Sequence, residues 1–156
     1  MPDRKPPRFA AGERETLLAL LQFQRESLVH KVTGADESAA AVSPVPSGTT
    51  LAWLVAHLAR AEASWIEERF AGMAARTIPL PEDRPPSITE SVAAYAQAAA
   101  RTDDIVTACG DPDQPLARGR HGLTLRWMLG HVLQETARHA GHADILRELL
   151  DGTTGR

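Results

Sequence analysis

Four side chains able to bind a metal or move a proton recur at helical spacing late in the chain: His131, Glu135, His139 and His142. Relative to His131, the other three lie at about 40°, 80° and 20° round a helix, so all four share one face. Met128 and Leu146 fall on the same stripe, and the face is expected to turn into a core. A glutamate facing a core is costly as an anion unless something positive meets it. A divalent cation does so, and a carboxylate and a histidine at i, i+4 both reach one ion. His57, inside the apolar run Trp53-Leu-Val-Ala-His57-Leu, is the candidate third ligand from another helix. Two histidines and one carboxylate leave a position open for water or substrate, as in catalytic zinc sites, and the set also suits iron(II). Spacing alone leaves other readings open. His57, His131 and Glu135 make an equally compatible set. Glu135 and His139 also read as a plain hydrogen-bonded pair, with His57 as a core histidine bonded to a polar neighbour.

Four helical blocks must position these residues. The first is predicted over Glu13–Val32, with Leu17, Leu21, Leu28 and Val32 on one face and Gly34 as a stop. Residues 34–48 read as a long loop. The second block starts at an N-cap, Thr50, and runs to Ala71 before Gly72. The proline-rich stretch 72–86 is a second long connection. Ser87-Ile-Thr-Glu90 matches a capping box and opens an alanine-rich third helix that ends near Ala108. The fourth helix is predicted from Thr124 to Leu150, ended by Asp151-Gly152. No strand-period alternation appears. The fold class expected is all-α: a four-helix bundle with long connections, its site built from inward-facing side chains. Residues 1–10 read as a flexible arm and 11–156 as a single metal-binding domain.

Composition narrows the function. The chain has 156 residues, enough for one domain with a real core. Seventeen basic against twenty acidic residues leave a net charge of −3, which argues against a nucleic-acid binder. One cysteine, Cys109, excludes an internal disulfide framework and a cysteine zinc finger. No apolar run approaches the roughly 20 residues that span a bilayer, and the polar, proline-rich N-terminus does not read as a signal peptide. A cytoplasmic protein with no membrane partner is expected.

Two segments carry a family resemblance. Thr50-Leu-Ala-Trp53-Leu-Val-Ala-His57-Leu-Ala-Arg-Ala-Glu62-Ala-Ser-Trp65 and Glu135-Thr-Ala-Arg138-His139-Ala-Gly141-His142-Ala-Asp-Ile-Leu-Arg147-Glu148 resemble the DinB/YfiT-like superfamily, more narrowly its mycothiol transferase branch. The resemblance runs from about Ala10 to Gly152. It implies one divalent metal, zinc first and nickel or iron as alternatives, held by a histidine of the second helix and an i, i+4 pair of the fourth. Many superfamily members use three histidines, whereas this chain has Glu135 in the place four before His139. His, Glu, His is similar to the set in mycothiol-dependent maleylpyruvate isomerases, whose N-terminal domain the chain resembles. By that match the ligands are His57, Glu135 and His139. The isomerases add a C-terminal catalytic domain, so transfer and not isomerisation is expected here. The implied activity joins a low-molecular-weight thiol, mycothiol, to an electrophilic small molecule, in a possible homodimer. Alternatives are a non-catalytic, stress-associated metal-binding bundle and a metal-assisted hydrolase.

His142 is the candidate to orient a ligand or move a proton, or else a structural neighbour of the site; His131 has the same two readings at the other end. Arg138 is expected to pair with an acidic neighbouring helix. Trp53, Trp65 and Trp127 are expected in the core, and Cys109 as a small buried hydrophobe. Arg118-Gly-Arg120-His121 reads as a solvated basic loop.

Overall fold

The structure, a computed structural model, describes residues 5–8, 10–119 and 122–154. It is all-helical. The elements are α1 (Glu13–Thr33), a one-turn α2 (Glu37–Ala40), α3 (Leu51–Glu62) continued by a π-helical segment (Ala63–Phe70), α4 (Ile88–Ala108) and α5 (Leu125–Asp151). The basic loop expected around Arg118 reaches Arg120 and His121, which lie outside the described residues.

Local chemistry sets most boundaries. Thr50 and Thr124 cap α3 and α5 by accepting from the Trp53 and Trp127 backbone N–H. Gly152 ends α5 in the left-handed region, φ 74°. The start of α4 is closed twice over. Ser87 and Glu90 form the reciprocal capping box, and the Glu37 carboxylate accepts from the Ile88 and Thr89 N–H at 2.9 and 3.1 Å. Every free N–H of that first turn therefore has an acceptor. The stretch expected as a plain loop at 34–48 contains α2, because Asp36 caps Ser38 and Ala39. That turn is what aims Glu37 at α4.

The long helices form a ring in the order α1, α5, α3, α4, with α1 along α5 and α3 along α4 as the most extensive pairs. The passages from α1 to α3 and from α4 to α5 thus cross the bundle's diagonals, which explains the long connections. The second of these carries an isolated antiparallel bridge between Pro115 and Thr124. Cys109 is buried near it, as expected.

The core has two apolar clusters. One gathers Leu28, Val32, Leu54, Leu58, Ala98 and Leu146 with their neighbours. The other gathers Leu21, Ile66, Phe70, Val106, Met128 and Val132. Between them in every long helix sits a buried polar residue: Arg25, Glu62, Thr102 and Thr136. Arg25 holds Glu62 through Nε and Nη2, at 2.9 and 2.5 Å, and reaches Asp103 through Nη1 at 2.8 Å.

The block expected as one α-helix to Ala71 departs from α geometry after Glu62. Hydrogen bonds such as Ala71 N–H to Ile66 O step five residues, a π winding. Glu67 lies in this segment and is buried against Arg76 of the 72–86 connection and Arg101 of α4. Burial pushes the Glu67 carboxyl up, yet the two guanidiniums hold it below its ordinary value.

Removing the Glu62 carboxylate leaves Arg25 buried with only half-exposed Asp103 beside it. Glu62→Ala should cost about 3–5 kcal/mol in urea unfolding; a loss below about 1 kcal/mol would contradict the buried-pair assignment. Acid should loosen the α4 cap. The Ile88 N–H chiefly lowers Glu37, and Arg84 chiefly lowers Glu90, to about 2 from 4.5. Groups so lowered contribute stability in full above about pH 4.5 and lose it as pH falls toward 2. Stability of Glu37→Gln/Glu90→Gln should accordingly fall less steeply over that range than wild type.

Candidate metal centre

The four-residue stripe of α5 lies at the edge of the bundle and does not face its core as expected. The buried residues of α5, from Leu125 to Arg147, centre about 85° away from the stripe at helical periodicity. Met128 and Leu146 sit on the margin of that buried arc. Exposure follows the angle from His139 through Glu135 to His142, while His131 is partly covered. The His139 side chain, nearest the core, is 12% exposed and Glu135 is 20%, while His142 is exposed.

The stripe meets α3 along the seam between the two helices. There His57, Glu135 and His139 each offer one ligand atom, and these atoms lie within 4.8 Å of one another. All three side chains are half-buried. The His57 ring stands edge-on to His139, centroids 4.9 Å apart at 81°. Trp53 stacks on His57, at 5.1 Å and 6°. The i, i+4 spacing on α3 puts the indole there.

His139 uses its two nitrogens separately. Nε2 lies 3.6 Å from Glu135 Oε2, too long for a hydrogen bond but close to the roughly 3.3 Å that separates two ligands on a tetrahedral zinc with 2.0–2.1 Å bonds. Nδ1 lies 3.3 Å from Nδ1 of His142, so one of these nitrogens donates and the other accepts. Glu135 Oε1 takes Arg138 at 3.2 Å. Arg138 therefore pairs within its own helix and not with a neighbouring one. Burial first, and then the facing His57, holds His139 below its ordinary pKa, with Glu135 opposing the shift. A neutral imidazole is the form that ligates metal. The donors, their separation and their protonation suit one divalent cation.

His131 stands apart. It lies between Trp127, stacked at 5.0 Å and 14°, and Trp65, edge-on at 4.6 Å, and Arg69 covers Trp65. The set His57, His131 and Glu135 is not brought together. Trp65 is partly buried against the second core cluster, but two tryptophans depart from their expected core positions: Trp53 and Trp127 are 47% and 44% exposed. Each sits four residues before a histidine and packs on it, so sequence spacing held the signal for a stacking wall.

Two cavities border neighbours of the trio. One of about 240 Å³ is lined by His142 with Val45, Ser47, Thr49, Ile145 and Leu146. Trp53 borders a larger one under the 72–86 connection.

Comparison with known proteins bears on this geometry. A family model described as mycothiol-S-transferase matches residues 16–152. No curated protein matches the sequence. A crystal structure of a conserved protein from Enterococcus faecalis superposes with a TM-score of 0.66 at 18% identity, covering 92% of this chain and 100% of that one. That likeness speaks to the fold.

His139 should titrate below 6.5 in the metal-free protein, followed by NMR. Glu135→Gln removes the opposing charge and should lower it further. A His139 midpoint above that of an exposed histidine would refute the arrangement. The sign for stability follows: the unfolded chain takes the proton more readily, so this contribution is present above pH 6.5 and lost on acidification.

Proposed function

Because the chain belongs to the mycothiol-S-transferase family, we propose that it is a metal-dependent thiol S-transferase. It joins a low-molecular-weight thiol, mycothiol, to an electrophilic small molecule. The observation that carries this reading is the trio His57, Glu135 and His139, three donors within 4.8 Å at a half-buried seam.

The three residues would hold one divalent cation, zinc by the chemistry of two imidazoles and a carboxylate. When bound, such an ion supplies the positive charge that favours a thiolate over a thiol at neutral pH. The remaining work belongs to the chain. Trp53 fixes the His57 ring by stacking. His142, bonded to the far nitrogen of His139, orients that ring as an outer partner of a ligand. Being exposed, it also carries the thiol proton to solvent. Arg138 holds one oxygen of Glu135 at 3.2 Å and so orients the carboxylate. A cavity of about 240 Å³ opens beside His142. No helix among the described residues is long and apolar enough to cross a membrane, and we assign the reaction to the cytoplasm.

The test is a transfer assay with mycothiol and 1-chloro-2,4-dinitrobenzene, run beside metal analysis. Wild type should carry about one metal per chain and form the thioether with release of chloride. His57→Ala and Glu135→Gln should lose metal and at least about 100-fold in rate, more than outer partners cost. His142→Asn should keep the metal and lose about 10–100-fold. Metal-free wild type that takes up neither zinc nor nickel would overturn the proposal.

A further inference from the structure

The cavity under the 72–86 connection is unusually provided with guanidinium groups. It measures about 890 Å³, and its lining includes Trp53, Arg60, Glu68, Arg76, Glu82 and Arg84. Arg84 is occupied by Glu90 through both of its terminal nitrogens. Arg76 gives its Nε to the two oxygens of Glu67, at 3.1 and 2.9 Å. Its Nη2 is buried and has no hydrogen-bond partner among the described residues. Arg60 is exposed on α3 and forms no hydrogen bond or ion pair with them. Glu68 and Glu82 border the cavity but bond none of its arginines.

A buried donor without an acceptor is an exception that native structures rarely tolerate. A guanidinium fork is shaped for a carboxylate or a phosphate. Trp53 ties this cavity to the metal centre, since the indole that lines it is the one stacked on His57 at 5.1 Å. Arg60 follows His57 by three residues on the same face of α3.

From this geometry we propose that the cavity binds the carboxylate or phosphate group of the electrophile through exposed Arg60, with the Arg76 guanidinium adding positive charge to the same wall. The carbon skeleton then lies along Trp53 toward His57. The assignment to an electrophile rests on the transferase reading. Glu68 and Glu82 would repel a second negative group, so the preferred substrate carries one anionic group.

NMR titration of the full chain, with and without zinc, tests the site through the Trp53 indole N–H. The probes are butyrate, inorganic phosphate and neutral butyramide. Butyrate or phosphate should bind saturably, butyramide should not, and the better anion identifies the group recognised. Arg60→Gln should weaken binding at least about tenfold, or about 1.4 kcal/mol. Glu135→Gln, which touches no part of the cavity, should leave it unchanged. Arg60 is the first choice because Arg76 also supports buried Glu67; Arg76→Gln is the second variant. In the transfer assay, Arg60→Gln should raise KM at least tenfold for a carboxylated electrophile while leaving kcat, and KM for a neutral one, unchanged. No saturable anion binding, or binding equal in Arg60→Gln and wild type, would overturn the site. Anion binding without any thiol transfer would keep the site and remove the transferase reading. Thiol transfer without anion binding would do the reverse.

Discussion

A carboxylate with no exposed surface in the middle of a helix bundle must be met by a cation, and Glu62 is met by Arg25. This pair dominates a polar layer to which α1, α3, α4 and α5 contribute Arg25, Glu62, Thr102 and Thr136, each flanked along its helix by apolar core. Such a pair is weak evidence for stability, because desolvation consumes most of the attraction. What it fixes is register. Sliding α1 or α3 by a turn would bury a lone charge. His57 lies five residues before Glu62 on α3. The pair therefore also sets the height of His57 at the α3–α5 seam.

Three carboxylates show how burial sorts structure from chemistry. Glu62 and Glu67 are almost wholly buried, and each is gripped by guanidinium groups at hydrogen-bond distance. Their charge is consumed by the fold. Glu135 is 20% exposed, with Arg138 on one oxygen at 3.2 Å and His139 off the other at 3.6 Å. Its second oxygen retains acceptor capacity, and its neighbour His139 is kept neutral. A carboxylate and two imidazoles left under-committed at one place are what a cation requires. The fold can leave them so because water at the seam lowers the cost.

Much of this was legible in the sequence wherever the cause is local. The capping box at Ser87 and Glu90, the cap at Thr50 and the stop at Gly152 depend on residues within one turn, and all appear as read, while Thr124, read as the start of the last helix, is its N-cap. The i, i+4 spacing offered Glu135 and His139, and an isolated histidine in an apolar run offered His57, but spacing left His131 an equal candidate; only the structure separates it from the other three. Causes that act at long range were not legible. The π segment accompanies Glu67, whose partners Arg76 and Arg101 lie nine and thirty-four residues away. Periodicity gives the angle of a side chain but not its depth. Met128 and Leu146 share the stripe's sector, yet they mark the border of the buried arc, and the histidines beyond that border are half-exposed or exposed.

That border position decides what kind of centre the trio can be. A structural metal site is closed by a fourth protein ligand, and a catalytic one is not. His142 is the nearest further imidazole in sequence, but its Nδ1 faces Nδ1 of His139, the nitrogen on the far side of that ring from Glu135. It thus supports a ligand and does not complete the set. Among the described residues the group that can hold a metal stops at three members. A three-donor set on a half-buried seam is the arrangement that the proposed transferase reading requires, since it would leave a bound cation one position for a reactant.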